Sequence, residues 1–191
     1  MTEPEVEAAD IILRRHEVQY VVVGGQAIGK TIRATGDVDV MVTAADYADT
    51  IAALQSDEDL EFQWEDQGVA RFAMRLVGGE FLDVIDTAKF TLPRGGGKFF
   101  IFLVEEESTE RDGIRYATPA AVWYTRLMIP RWRHYSDKIL QDLLGGVGAG
   151  RMRRVVEIAH RFGTEEILRE RVAYVRSEMR RPDLEYVLKE E

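Results

Sequence analysis

A glycine pair directly after a run of β-branched residues is the feature that most constrains this chain. The run Tyr20-Val21-Val22-Val23 predicts a short buried strand, and Gly24-Gly25 ends it with a turn. The segment from Gly25 to Arg33 is long enough for about two helical turns. Asp37-Val38-Asp39-Val40-Met41-Val42 then begins with alternating polar and apolar residues, so we expect a second strand there. Two strands joined by a glycine turn and a short helix indicate an α/β fold.

Asp37 and Asp39 stand two residues apart on the second predicted strand. Side chains alternate between the faces of a strand, so both carboxylates are expected on one face and close together. Two like charges repel at that distance, and a divalent cation between them removes the repulsion. Ligands that are all oxygens suit Mg²⁺ or Mn²⁺. A surface strand with two outward aspartates is the alternative, but Asp is depleted in strands, and the glycine turn upstream together with a further strand Asp downstream favours a metal site.

A third carboxylate would complete a site for two metal ions, in which one ion activates the attacking oxygen and the other binds a triphosphate. Val69–Val77 and Phe81–Ile85 flank Gly78-Gly79 and predict a β-hairpin. Asp83 lies in the second of these strands between apolar neighbours, and we expect it to be the third ligand. Asp86 is the alternative.

The same glycine turn also satisfies a competing motif. Gly24-x4-Gly29-Lys30-Thr31 matches the Walker A pattern, whose backbone N–H groups cradle phosphates in P-loop NTPases. Only five residues separate Thr31 from Asp37, too few for the full helix that follows a P-loop. The second half of the chain also lacks repeated strand–helix units. The metal site is therefore favoured, and a P-loop-type NTPase is the alternative.

The rest of the chain is predicted to be mainly helical. We expect an α/β (α+β) fold with a mixed β-sheet flanked by helices in residues 1–117, and a C-terminal helical region in residues 118–191. Apolar periodicity and caps predict six helices and one further strand. The helices are Pro4–His16, Ala44–Gln55 (after Thr43), Pro119–Met128, Ser136–Leu144, Arg151–Phe162 and Thr164–Met179, and the strand is Phe99–Val104.

The charge changes sign along the chain. Residues 1–110 hold 9 Lys or Arg against 22 Asp or Glu, whereas residues 111–181 hold 15 against 8, and 14 of those 15 are Arg. Arginine binds phosphate through two parallel hydrogen bonds, so the helical half could face a triphosphate or an RNA backbone. The alternative is that these arginines pair with glutamates on helix surfaces. The net charge of −9 therefore does not exclude a nucleic-acid partner.

Composition excludes several classes of protein. The chain has no cysteine, so it has no disulfide, no thiolate metal site and no cysteine nucleophile. No apolar run approaches the ~18 residues of a membrane span, and the acidic start of the chain is unlike a signal peptide. We therefore expect a cytoplasmic protein with no membrane partner.

Together the motifs resemble the DNA-polymerase-β-type nucleotidyltransferase superfamily, in which Gly-Gly, Asp-x-Asp and a later strand Asp recur. Val23-Gly24-Gly25-Gln26-Ala27 followed by Arg33-Ala34-Thr35-Gly36-Asp37-Val38-Asp39 is similar to its AbiEii/toxin-type branch. Gly113-Ile114-Arg115-Tyr116-Ala117-Thr118-Pro119 and then Asp137-Lys138 resemble the helical signature downstream in that branch. Arg126 stands where the branch usually carries a lysine.

The resemblance implies a nucleotidyltransferase fold with its catalytic domain in residues 1–117. It implies a Mg²⁺-dependent (or Mn²⁺-dependent) transfer of an NMP from an NTP to an acceptor hydroxyl. Asp37, Asp39 and Asp83 would be the catalytic metal ligands, with Asp83 as general base. The nucleotide-binding residues would be Gly24, Gly25, Lys30, Arg33 and Lys138.

The resemblance also implies a biological role. It is that of a toxin in a toxin–antitoxin or abortive-infection system, with a cognate antitoxin as partner. The acceptor would be RNA or tRNA, a protein, or a small molecule such as an aminoglycoside. A catalytically silent nucleotidyltransferase fold that acts as a binding module is an alternative from another class.

Overall fold

In the computed structural model, a seven-stranded sheet forms the centre of the described chain. The structure describes residues 3–28, 37–43, 47–66, 71–76, 81–87, 90, 92–129, 132–135 and 149–178. The strands are β1 Tyr20–Val23, β2 Asp37–Val42, β3 Leu60–Asp66, β4 Arg71–Leu76, β5 Phe81–Asp86, β6 Ser108–Arg111 and β7 Ile114–Ala117. The helices are α1 Pro4–Arg15, α2 Gly24–Ile28, α3 Tyr47–Gln55, α4 Gly96–Glu105, α5 Pro119–Met128, α6 Ala149–Phe162 and α7 Glu165–Glu178, with a 3₁₀ turn at Trp132–Tyr135.

The sheet is mixed, as expected. Its strand order is β3-β4-β5-β2-β1-β7-β6. β2 pairs with β5 and β1 with β7 in parallel, and the other neighbours are antiparallel. Val38, Val40 and Val42 on one face of β2 are fully or almost fully buried. β2 and its neighbours β1 and β5 therefore form the centre of the sheet, and these strands carry the glycine turn and the predicted carboxylates.

Several predicted elements coincide with observed ones. Tyr20–Val23, Asp37–Val42 and Pro119–Met128 have the predicted bounds. The last of these begins sharply because Pro119 occupies its first turn and the Thr118 hydroxyl accepts a hydrogen bond from the Ala121 N–H at 3.2 Å. The predicted hairpin is present as β4 and β5, which pair antiparallel.

The predicted strand Phe99–Val104 is wrong: these residues lie in helix α4. A continuous apolar run is compatible with a buried strand or a buried helix, and periodicity alone does not separate them. Burial shows the helical period, because Phe99, Phe102 and Leu103 are buried whereas Ile101 is 55% exposed. Before this helix, Gly95 has a φ of +87°, which ends the preceding loop in a conformation that favours glycine.

One helix prediction is untested, and another is confirmed over most of its length. The helix expected over Ser136–Leu144 lies outside the described residues. The helix expected from Ala44 is observed from Tyr47 to Gln55, and residues 44–46 also lie outside the described part. No helix among the described residues is long and apolar enough to cross a membrane.

Arginines of α6 attach the helical half to the α/β half. The Arg154 Nε–H donates to Glu107 Oε1 at 2.5 Å, and the Glu107 carboxylate also accepts a hydrogen bond from the Thr118 hydroxyl. Two turns further along, Arg161 donates to Glu106 at 2.5 Å and lies 4.5 Å from the centre of the Phe102 ring. These two cations therefore form contacts within the chain, which favours the glutamate-pairing interpretation for Arg154 and Arg161.

Other arginines of the helical half also contact groups within the chain. Arg171 donates to the Leu127 carbonyl oxygen and lies 5.4 Å from the Trp132 ring centre. Arg133 stacks 4.7 Å from the Tyr174 ring centre. The buried core also continues from the sheet into α5, α6 and α7 without interruption. The division at residue 117 coincides with the end of the sheet, and as a domain boundary it stays a prediction.

Candidate functional site

The glycine turn and the second strand meet at Gly24 and Asp39. Val23 pairs with Asp39 across the antiparallel β1–β2 ladder, so Gly24 follows directly beside that aspartate. A Cβ atom added to Gly24 would lie 2.0 Å from Asp39 Oδ2 and 2.8 Å from its Cγ. Gly24 also has a φ of +67°, a conformation that favours glycine. The Asp39 carboxylate therefore lies against the backbone of the turn, and a side chain at Gly24 would displace it.

The pairing of β2 with β5 brings the third carboxylate to the same face. Asp39 is in register with Asp83, and Asp37 with Phe81. Residues in register on neighbouring strands point to the same side of the sheet, and neighbouring strands lie about 4.8 Å apart. Asp83 is 3% exposed, and Asp37 and Asp39 are half-buried. The structure thus assembles Asp37, Asp39 and Asp83 on one face.

Asp86 does not share that face. It is in register with Val42, whose side chain lies on the buried valine face of β2. Because Asp83 and Asp86 are three residues apart, strand alternation directs them to opposite sides. Asp83 is therefore the carboxylate that can act with Asp37 and Asp39. The register therefore favours Asp83 over Asp86 as the third carboxylate.

Other predicted site residues are described only in part. Gly24 and Gly25 are buried at the start of α2. Lys30, Arg33 and Lys138 lie outside the described residues, so their predicted contacts with nucleotide phosphates stay predictions. Within the described part of the chain, no group of three or more acidic or histidine side chains is close enough together to hold a metal ion as it stands.

The topology around the turn differs from a P-loop unit. In a P-loop the glycine-rich segment is a loop between a strand and a full helix, and the next strand of such a βαβ unit is parallel. Here residues Gly24–Ile28 are already helical, and β1 and β2 are antiparallel neighbours. The Gly29-Lys30-Thr31 part of the motif lies outside the described residues.

A second polar cluster lies near the other end of β2. The His16 Nε2–H donates to Asp57 Oδ2 at 2.7 Å, and Arg15 donates to both oxygens of Asp57 at 3.0 Å. Burial acts to raise the pKa of Asp57. The Asp59 N–H, His16 and Arg15 outweigh that effect and hold the pKa below its ordinary value. Sequence reasoning missed this cluster because His16 and Asp57 are 41 residues apart and no local motif joins them.

No family model and no curated protein matches the chain. A functional interpretation therefore depends on the residues themselves. The strongest group is the glycine turn with the three aspartates, since β1, β2 and β5 bring together residues that are up to 59 positions apart in sequence.

Proposed function

We propose that the chain is a metal-dependent nucleotidyltransferase with a nucleotidyltransferase fold, moving an NMP from an NTP to an acceptor hydroxyl with release of pyrophosphate. One observation carries the proposal: Asp39 lies against the Gly24 backbone on one side and in register with Asp83 on the other. A glycine turn beside paired strand carboxylates suits a triphosphate and its cations. If Asp37 and Asp39 were only surface charges on a strand, the packing of Asp39 on Gly24 and its register with Asp83 would have no function.

The donor set fits Mg²⁺ or Mn²⁺. Asp37, Asp39 and Asp83 offer carboxylate oxygens alone, which are the ligands that these hard cations prefer. Negative charges on one sheet face repel, and Asp83 is almost completely buried, so a cation would stabilise the ionised form of the group. When bound, such an ion supplies charge neutralisation for the triphosphate and for the leaving pyrophosphate.

Each protein group then has a task set by its position. Gly24 keeps the turn free of a side chain, so the backbone and the Asp39 carboxylate share one small space. Asp37 extends the acidic face two residues along the same strand. Asp83, on the neighbouring strand, is the group we assign to take the proton from the acceptor hydroxyl. Lys30, Arg33 and Lys138 are proposed to contact the phosphates.

The acceptor and the role are further parts of the proposal. RNA or tRNA is the first candidate acceptor, and a protein or a small molecule such as an aminoglycoside is the second. The role is that of a toxin held in check by a cognate antitoxin. Internal pairing of Arg154 and Arg161 means that RNA contacts would come from other cations, such as the exposed Arg153.

Labelled nucleotides distinguish this proposal from its rivals. The chain is incubated with Mg²⁺, total tRNA and each NTP, labelled in parallel at the α- or the γ-phosphate. Transfer of the α-label to RNA, to protein or to an aminoglycoside is expected, and the Asp39→Asn variant should abolish it. Lys30→Ala should weaken transfer by lowering nucleotide affinity.

Three results would overturn the proposal in different ways. Release of γ-phosphate alone, lost in Lys30→Ala but kept in Asp39→Asn, would establish the P-loop alternative. Saturable NTP binding without any transfer would establish a silent binding module. The absence of both binding and transfer with every NTP would show that the chain does not use a nucleotide substrate.

A further inference from the structure

Arg171 in α7 is a half-buried cation that the chain compensates poorly. Its guanidinium donates to the Leu127 carbonyl oxygen at the end of α5 and lies 5.4 Å from the centre of the Trp132 ring. Burial lowers the pKa of Arg171, and the nearby Glu170 offsets this effect only in part. A charge that is partly removed from water without a bonded counter-ion is costly, and such groups are enriched at ligand sites.

Arg154 shows what a compensated arginine looks like in the same half of the chain. Hydrogen bonds to Glu157 and Glu107 raise the pKa of Arg154. The pKa of Arg171 moves in the opposite direction, because its hydrogen bond goes to a carbonyl oxygen and not to a described carboxylate. The positive charge of Arg171 is therefore available to an anion from outside the chain.

A second cation lies beside the same aromatic pair. The Trp132 and Tyr174 rings pack edge to face with their centres 5.1 Å apart. The exposed Arg133 lies 4.7 Å from the centre of the Tyr174 ring and 5.9 Å from that of Trp132. Aromatic faces attract cations, so the two rings hold both guanidiniums in one place without neutralising them. We call Arg133, Arg171, Trp132 and Tyr174 the arginine–aromatic cluster.

The chemistry of the arginine–aromatic cluster suits RNA. Guanidinium groups bind phosphate oxygens through paired, charge-assisted hydrogen bonds, and a phosphate would offset both positive charges. An exposed arginine plane beside a tyrosine ring is also the type of surface on which unpaired RNA bases stack. A free anion would use the guanidiniums alone, whereas a single strand of RNA would use the guanidiniums and the aromatic surface together.

We propose that the arginine–aromatic cluster binds the backbone of the acceptor RNA, with Arg133 and Arg171 contacting its phosphates. This inference rests on the proposed function, because it takes RNA as the acceptor. The position of the cluster agrees with that role. β7 and β1 are parallel neighbours, so α5, which follows β7, begins at the edge of the sheet where the glycine turn lies. α5 is about 15 Å long, and Trp132 follows its end closely, so one RNA strand can reach both places.

Fluorescence anisotropy with a labelled single-stranded RNA tests the inference in the absence of NTP and metal. An RNA of about 12 nucleotides is long enough for a typical single-strand site. Arg133→Gln removes an exposed guanidinium and should raise Kd about threefold to tenfold. The slope of log Kd against log salt concentration should also fall by roughly 0.7, the value for one lost phosphate contact on a single strand. Arg171→Gln should change both quantities in the same direction.

Arg161→Gln is the matched control. It also removes a guanidinium that stacks on an aromatic ring, that of Phe102, and it changes the net charge by the same amount. Because Arg161 is bonded to Glu106, this variant should leave Kd and the salt slope unchanged. Circular dichroism and the thermal midpoint establish that Arg171→Gln is folded. The exposed Arg133→Gln decides the matter if it is not.

RNA binding and nucleotidyl transfer fail separately in this design. Weaker RNA binding by Arg133→Gln alone would support the arginine–aromatic cluster even if the wild type transferred no label. Equal Kd and salt slope in Arg133→Gln and Arg161→Gln would overturn the inference, and label transfer to RNA would then leave the proposed function intact. No saturable RNA binding by the wild type would overturn it as well. Calorimetric titration with inorganic phosphate tests the other source of the anion: phosphate binding that Arg133→Gln abolishes, with unchanged RNA affinity, would assign the cluster to a small anion and overturn the RNA site.

Discussion

Replacing Gly24 by alanine adds one methyl group where the turn meets the Asp39 carboxylate. The new Cβ would stand 2.0 Å from Oδ2, whereas ordinary contacts begin near 3.4 Å, so the carboxylate must move by roughly 1.4 Å. An alanine at a φ of +67° adds a backbone cost of roughly 1 kcal/mol. Because displacement of a catalytic group by about 1 Å can cost 100-fold in rate, we expect nucleotidyl transfer to fall at least 100-fold.

Gly163 provides a closely matched control. It has the same φ of +67°, and a Cβ built on it meets no atom within 4 Å. Gly163→Ala therefore carries the backbone cost without the collision. Its free energy of unfolding should fall by roughly 1 kcal/mol and its transfer rate should stay near that of the wild type. Urea denaturation and the labelled-nucleotide assay measure both quantities for the two variants.

A double-mutant cycle tests the collision between Gly24→Ala and Asp39 through protein stability, independently of the transfer activity. Asp39→Ala removes Oδ2 and Cγ and leaves only Cβ, which stands 3.0 Å from the added methyl group. Gly24→Ala should therefore destabilise the Asp39→Ala background less than it destabilises the wild type. Equal destabilisation in both backgrounds, or a Gly24→Ala variant with the transfer rate of Gly163→Ala, would refute the close packing of Gly24 on Asp39.

Three further predictions concern the rest of the molecule. Glu107→Gln removes the buried carboxylate that pairs with Arg154. Chemical denaturation should show that the free energy of unfolding falls by about 1–3 kcal/mol. Asp57 has a pKa below its unfolded value, so its stabilisation is complete above about pH 4 and is lost as the pH falls through the folded pKa. Thermal unfolding between pH 7 and pH 2 should therefore show a smaller acid-induced loss in Asp57→Asn than in the wild type, and equal losses would contradict this. Induced expression of the wild-type chain should arrest growth of a bacterial culture, and Asp39→Asn should relieve it; equal growth of both cultures would argue against the toxin role.

Local sequence signals predicted the elements that depend on local structure. The strand over Tyr20–Val23 and the helix over Pro119–Met128 were predicted to the residue, because a β-branched run and a Thr-Pro start are local features. The strand expected at Phe99–Val104 was wrong because tertiary burial, and not the apolar run itself, selects the helix. The β6–β7 hairpin was missed although Asp112-Gly113 is a favoured two-residue turn, with φ values of +52° and +78°.

The candidate site needed long-range information. Strand alternation was enough to place Asp37 and Asp39 on one face, because that pairing is local. Only the β2–β5 register separates Asp83 from Asp86, and that register is a tertiary property. The packing of Gly24 against Asp39 likewise depends on the β1–β2 pairing. The arginine-rich composition did not reveal that Arg154 is paired with the buried Glu107 of the other half of the chain.

The transfer rates of Asp83→Asn and Asp86→Asn, measured side by side with α-labelled NTP, test the central claim most directly. Both aspartates are buried on the same strand, and they face opposite sides of the sheet. Denaturation curves of both variants allow the rates to be compared among folded molecules only. The account predicts loss of label transfer in Asp83→Asn and near wild-type transfer in Asp86→Asn. Equal transfer by the two variants, or loss in Asp86→Asn alone, would contradict a catalytic site formed by Asp37, Asp39 and Asp83.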